Sequence, residues 1–218
     1  MAIKAMNFMS NDTYGLQLDQ KRRLYISYGT PCSGKSTALA AWSQKYDLPL
    51  VQNPDIIDKE TRLYYYLSNA FINGAKAMFF HFQMEILPMR FWQMATAPDR
   101  ALVDESIYST LAYSNALLKL NWLHEYEYRT FLNNYLSYQT ILPKPKKIFF
   151  FYCKNVTVIE RLKERGIPIE IESYTLEYIN ALNEAFLETA NILREFCDIV
   201  EIDTDKYSPA EIRTSFVE

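Results

Sequence analysis

Residues 29–37 read Gly-Thr-Pro-Cys-Ser-Gly-Lys-Ser-Thr, a G-x-x-x-x-G-K-[ST] spacing that few folds can accommodate. Such a loop works only between an incoming strand and an outgoing helix, where successive backbone N–H groups and the helix N-terminus form an anion cradle. Both neighbours are present. Leu24-Tyr25-Ile26-Ser27-Tyr28 is β-branched and aromatic, as suits a buried strand. Ser36-Thr37-Ala38-Leu39-Ala40-Ala41-Trp42 has neither Gly nor Pro and suits a helix. Gly29, Thr30, Pro31, Cys32, Ser33, Gly34, Lys35, Ser36 and Thr37 are therefore read as a nucleotide phosphate site. Lys35 reaches the β- and γ-phosphates, and the Ser36 hydroxyl takes one place on Mg²⁺. The competing reading is a chance turn at a strand–helix junction. The whole chain has five glycines, so the two in this loop carry more weight.

The rest of the chain alternates strand-like and helix-like segments. Leu48-Pro49-Leu50-Val51-Gln52 reads as a second strand ending at Asn53-Pro54. A helical region spans about 59–97, broken near Asn73-Gly74 and kinked at Pro88. Arg100-Ala101-Leu102-Val103 forms a third strand, ending in Asp104-Glu105-Ser106, and helices fill about 107–138. Lys147-Ile148-Phe149-Phe150-Phe151-Tyr152 is the most apolar run and suits a central strand buried on both faces. Ile199-Val200-Glu201-Ile202 supplies a fifth. This order predicts an α/β three-layer sandwich, with a central five-stranded parallel sheet flanked by helices. Sites in such sheets lie beyond the carboxyl ends of the strands, where Gly29, Asn53 and Asp104 stand.

Composition narrows the partners. A chain of 218 residues suits one domain, 1–218, with residues 1–20 as an N-terminal extension. Net charge is −3, so no basic surface announces a nucleic acid, and a substrate at a polymer end is disfavoured. Cys32, Cys153 and Cys197 are far apart and lack metal spacing, which fits a reducing, cytoplasmic setting. No signal peptide and no apolar run of spanning length is visible, so no membrane partner is expected.

Phosphoryl transfer needs a metal ligand, cations around the transferring group and often a base for the acceptor hydroxyl. Asp104, straight after an apolar strand, suits the metal role, with a helix N-cap as its alternative. Arg161 and Arg165 fall at i, i+4 before Gly166 and could close over the γ-phosphate. On charge pattern alone, the run Glu160-Arg161-Leu162-Lys163-Glu164-Arg165 reads equally as a solvated face.

Several separated stretches, in the right order, resemble the deoxynucleoside kinase family. The phosphate loop does, as do Phe82-Gln83, Arg90 seven residues on, and Asp104-Glu105-Ser106-Ile107-Tyr108-Ser109. So do the lid stretch Glu160–Gly166, the helix Leu176-Glu177-Tyr178-Ile179 and the turn Asp203-Thr204-Asp205. The resemblance implies a P-loop kinase fold with an arginine-bearing lid at about 161–173. It also implies ATP as phosphate donor with Mg²⁺, the 5′-hydroxyl of a small-molecule deoxynucleoside as acceptor, a role in nucleotide salvage, and a homodimer packed through helices. Tyr108 to Tyr138 offers a dimer surface, though its tyrosines fit a plain core equally well. On the same resemblance Gln83 and Arg90 meet the base, one of Glu170 or Glu172 meets the sugar 3′-hydroxyl, and Asp203 and Asp205 border the donor adenine. Lys35, Arg161 and Arg165 would meet phosphate charge, and Ser36 and Asp104 the metal. Seen alone, Gln83 and Arg90 could be ordinary surface residues.

Four departures separate this chain from the family pattern. Asn53-Pro54 stands where Glu-Pro is usual, and an amide cannot accept the hydroxyl proton. Glu105 stands where Arg is usual. Thr110 replaces an aspartate that commonly assists Arg90 at the base. Ile167 and Pro168 leave the lid an arginine short. Because the usual Glu and Arg are partners, their joint change suggests that the carboxylate has moved: Glu105 accepts the proton and Asn53 orients the hydroxyl. Asp55 is a rival base and Asp58 a weaker one; alternatively, Glu105 merely pairs with a cation. Two other functions stay open at this point. One is a kinase for another acceptor, such as a nucleoside monophosphate or a modified DNA base. The other is a nucleotide-binding scaffold that has lost its chemistry.

Overall fold

The computed structural model describes residues 18–214, so residues 1–17, most of the expected N-terminal extension, lie outside the described part. Five strands form one sheet: β1 Tyr25–Gly29, β2 Leu50–Val51, β3 Leu102–Val103, β4 Lys147–Tyr152 and β5 Asp198–Asp203. They lie in the order β2-β3-β1-β4-β5, with every neighbouring pair parallel. The middle strand is β1, which delivers the phosphate loop, and β4 is an interior strand buried on both faces, as its apolar run predicts. β4 runs beside it, pairing Tyr25 with Lys147 through Gly29 with Phe151. β2 and β3 are shorter than the sequence suggested, because only Leu50–Val51 and Leu102–Val103 share a ladder.

Helices cover both faces. In chain order they are α1 Lys35–Tyr46, α2 Arg62–Phe71, α3 Ala77–Thr96, α4 Ile107–Lys119, α5 Glu125–Ile141, α6 Asn155–Arg165, α7 Pro168–Ser173, α8 Leu176–Leu193 and α9 Pro209–Thr214. The expected break falls between α2 and α3, and α3 runs through Pro88. Among the described residues, no helix is long and apolar enough to cross a membrane.

The two-residue period of the strands divides the core. Ile148 and Phe150 point into a large cluster built with α3, α4 and α8, whereas Phe149 and Phe151 point into a smaller one with Leu39 and Trp42 of α1. The Trp42 ring lies 4.7 Å from that of Phe149, and its indole N–H donates to the Ile212 carbonyl at 2.7 Å, joining α1, the sheet and α9. On the opposite face the Tyr28 hydroxyl donates to the Phe186 carbonyl at 2.9 Å, so α8 is tied to the strand that carries the loop. This tie-down fixes where the loop begins.

Gly29 is required there. Its φ is +140°, and a Cβ at this position would stand 2.0 Å from the Phe151 carbonyl oxygen. Gly29→Ala is expected to cost at least about 2 kcal/mol in urea unfolding. Gly74→Ala, also at positive φ but with nothing within 4 Å of the new methyl, is expected to cost about 1 kcal/mol. Equal costs would show that the approach of β4 does not demand a glycine.

Candidate active site

α1 begins directly out of the loop, with Gly34 at φ +90° as its N-cap. Lys35, 7 % exposed, curls back over the loop: its Nζ donates to the carbonyls of Gly29 at 2.9 Å and Thr30 at 2.7 Å. Ser36 and Thr37 face an open cleft of about 800 Å³ that also touches Asp104, Arg161, Thr204 and Tyr207. Arg161 is strapped across one wall of this cleft. Its Nη1 donates to the Cys32 carbonyl and to Thr204 Oγ1, both at 3.0 Å, and its Nη2 to the Thr204 carbonyl at 3.1 Å. The arginine thus joins the loop, the β5 turn and α6, and is not a merely solvated residue.

The two carboxylates expected beside the donor base are turned to structural partners. Asp205 accepts from the Lys154 N–H and the Thr157 hydroxyl, both at 2.8 Å, which caps the start of α6. Asp203 pairs with Lys206 at 3.0 Å, and the hydrogen bond from Lys206 holds its carboxyl below the usual range. It is Thr204, between them, and Tyr207 that line the cleft.

Behind the loop lies a buried knot of charge. The Ser27 hydroxyl donates to Asp104 Oδ1 at 2.9 Å and accepts from the Glu105 N–H at 3.2 Å, so a single polar side chain in β1 positions both acids at the end of β3. Asp104 is not a helix cap; that position, before α4, belongs to Ser106. Glu105, 6 % exposed, adopts φ +67°, a left-handed backbone uncommon for a non-glycine residue. One carboxylate oxygen lies 3.1 Å from Lys35 Nζ and the other 3.7 Å from Arg90 Nη2. Burial pushes the Glu105 carboxyl up, but Lys35 and then Arg90 pull it down further, and the net direction is downward, keeping it ionised at neutral pH.

Arg90, 4 % exposed on α3, holds this knot from the far side. Its Nε and Nη2 donate to Asn53 Oδ1 at 3.2 and 3.1 Å, and its Nη1 donates to Thr110 Oγ1 at 2.9 Å. Both replacements, Asn53 and Thr110, therefore remain partners of Arg90 through neutral oxygens. The carbonyl oxygen of Asn53 is committed to the arginine. Asp55 and Asp58 serve backbone turns at the rim: Asp55 Oδ1 accepts from the N–H groups of Ile57 and Asp58 at 3.1 Å, and Asp58 Oδ1 from that of Glu60 at 3.0 Å. Asp55 also lines the cleft.

A narrower cavity of about 80 Å³ opens behind the cleft. Phe71, Phe79, Phe82 and Tyr178 make it apolar, and Gln83 supplies its deep polar group. Gln83 is buried, and its Oε1 has no hydrogen-bond partner. Asn53, Glu105, Tyr113, Glu170 and Tyr174 line both the cavity and the cleft, so the two spaces meet at these residues. Of the two lid glutamates, Glu170 is the one at the site, 3.2 Å from Arg165 Nη1; Glu172 is exposed and lines neither space. Burial pushes the Glu170 carboxyl up, with Arg165 opposing.

Ser27, Tyr113, Ser173 and Tyr174 were not singled out from the sequence. Ser27 carried a signal, being the one polar residue in an otherwise apolar strand. The tyrosines carried none in a chain that has 17 of them.

Residues 28–217 match a family model described as deoxynucleoside kinase. Among curated proteins, the chain is 26% identical over 156 residues to deoxyguanosine kinase of Bacillus subtilis strain 168, covering 67% of this chain and 70% of that one. Among solved structures it resembles deoxyadenosine kinase from M. mycoides with bound dATP, at TM-score 0.74 and 21% identity over 88% of this chain and 96% of that one. The same enzyme with bound dCTP gives TM-score 0.74 and 19% identity, over 88% and 95%. Thymidylate kinase from Candida albicans is more distant, at TM-score 0.52 and 21% identity over 88% of each chain.

Since Lys35 is held by Glu105, a polyanion entering the cleft must compete with that carboxylate. Glu105→Gln is therefore expected to tighten inorganic tripolyphosphate binding about 10-fold by calorimetry. Unchanged or weaker binding would mean that the pair does not oppose phosphate entry.

Proposed function

The chain belongs to the deoxynucleoside kinase family, and on that premise we propose that it transfers the γ-phosphoryl group of ATP to a deoxynucleoside 5′-hydroxyl with Glu105 as the base. The supporting observation is the place of Glu105: an ionised, buried carboxylate where the apolar cavity meets the phosphate cleft, beside Lys35. The nucleoside lies in the cavity, with its base toward Gln83 and its 5′-oxygen toward Glu105. The phosphates lie along the loop, where backbone N–H groups and Lys35 take their charge. Lys35 leaves Glu105 for the phosphates, and the freed carboxylate accepts the hydroxyl proton as the 5′-oxygen attacks. Arg90, anchored on Asn53 and Thr110, keeps Glu105 in place from the other side.

Ser36 and Asp104 are proposed to hold Mg²⁺. They fit a hard cation, since both offer oxygen atoms to one cleft, and magnesium takes few protein ligands when phosphates supply the rest. Bound there, the ion neutralises charge on the β- and γ-phosphates. Arg161 and Arg165 border the cleft on its lid side and are proposed to meet phosphate charge on closure. A homodimer and a role in cytoplasmic nucleotide salvage complete the reading. Most of α4 is core, so α5, which exposes Tyr126, is the better dimer surface.

Phosphate transfer from ATP with Mg²⁺ to each of the four deoxynucleosides tests the reading. The parent should turn over at least one, and Glu105→Gln should lose about 10²–10⁴-fold in kcat. Asp55→Asn should stay within about 2-fold of the parent, because its carboxylate serves a turn. A Glu105→Gln variant as fast as the parent would remove the base assignment. A concentration-independent monomer in sedimentation would remove the dimer.

A further inference from the structure

Resting on the kinase reading above, we propose that Ser27 is a positioning residue for the base: its hydroxyl holds the Glu105 backbone in the turn that aims the carboxylate at Lys35. The ladder between β1 and β3 ends at Ile26 and Val103, one residue before Ser27 and Asp104. Beyond that point the Ser27 side chain makes the join, donating to Asp104 Oδ1 at 2.9 Å and accepting from the Glu105 N–H at 3.2 Å. Asp104 sends its own N–H the other way, to the Val51 carbonyl of β2 at 2.8 Å.

The chemistry of the three groups fixes how the hydroxyl is used. A carboxylate accepts and a peptide N–H donates, so the single Ser27 proton goes to Asp104 and a lone pair takes the Glu105 N–H. Hydrogen bonds in such a chain strengthen one another. Ser27 and Glu105 are 0 % and 6 % exposed, so water is poorly placed to substitute for either partner. Glu105 holds φ +67°, a conformation that persists in a non-glycine residue only where its surroundings impose it. Lys35 and Arg90 grip the carboxylate end of this residue, and Ser27 grips the backbone end.

Base and phosphate loop are thereby referenced to one strand. The Gly29 carbonyl, two residues after Ser27, accepts from Lys35 Nζ at 2.9 Å, and Lys35 meets Glu105 at 3.1 Å. The contacts close a ring through Ser27, Gly29, Lys35 and Glu105, and Tyr28 within it is tied to the Phe186 carbonyl. When phosphates draw Lys35 away, the ring opens at one contact, and the Ser27 bond still sets where Glu105 stands relative to the loop. A shift of about 1 Å in a reacting group can cost about 100-fold in rate. A serine that only satisfied buried polar groups would lower stability without separating turnover from substrate binding.

The test is a double-mutant cycle of Ser27→Ala with Glu105→Gln, read by steady-state kinetics and by calorimetry with inorganic tripolyphosphate. Ser27→Ala is expected to lose about 10- to 100-fold in kcat, with KM for the deoxynucleoside within about 2-fold of the parent. In the Glu105→Gln background the same change should cost less than about 2-fold, because the group that Ser27 places is gone. Ser27→Ala alone should also tighten tripolyphosphate binding about 3-fold, since Glu105 no longer stands squarely against Lys35. Added to Glu105→Gln, it should tighten nothing further. Ser27→Cys fills the same space with a weak donor and acceptor, should follow Ser27→Ala, and carries the cycle if the alanine variant does not fold. A kcat loss of equal size in both backgrounds overturns the proposal. So does a kcat or a tripolyphosphate affinity that the Ser27 variants leave unchanged. A parent that phosphorylates no deoxynucleoside defeats the kinase reading alone, since the tripolyphosphate cycle still decides whether Ser27 places Glu105.

Discussion

Taking a carboxylate out of water costs several kcal/mol unless cations meet it, and Glu105 is met by two. Much of the site follows from that requirement. Lys35 must sit close behind the phosphate loop, and Arg90 must reach across from α3. Arg90 in turn needs oxygen partners at Asn53 and Thr110, which fixes the end of β2 and the first turn of α4. Ser27 ties the same knot to the middle strand through both acids. Lys35, Arg90 and Ser27 thus converge on one side chain with an uncommon backbone conformation, and Asn53 and Thr110 brace it through Arg90.

The knot also explains how two departures from the family pattern coexist. An asparagine at position 53 with arginine at 105 would crowd a third cation beside Lys35 and Arg90, with no carboxylate between them. A glutamate at both positions would put two carboxylates near the same pair of cations. The observed combination keeps one negative group between two positive ones. Asn53 stays useful because an amide oxygen still accepts from a guanidinium.

The phosphate loop was legible in the sequence because its function resides in backbone geometry, which its glycines and the flanking strand and helix dictate locally. The alternation of elements was legible for the same reason, and it led to the parallel sheet. What could not be read locally was pairing over distance. Nothing near Arg90 says that Asn53, 37 residues earlier, is its acceptor. The resemblance set Asp205 beside the donor adenine, yet it caps a helix that starts about 50 residues before it. The apolar richness of β4 marked an interior strand buried on both faces, but which strand stands in the middle was decided by crossover order, which placed β1 there. Choosing Glu170 over Glu172 likewise needed the pitch of α7.

Capping by Asp205 and strapping by Arg161 leave α6 anchored at its start and midway, with only its last turn unrestrained by these bonds. Gly166 follows at φ +68°, and α7 begins two residues later. The helix that follows is short, six residues or about 9 Å, and the Arg165–Glu170 pair ties it back to α6 across the glycine. It carries Glu170 and Ser173 on one rigid turn, so the two cannot be aimed independently.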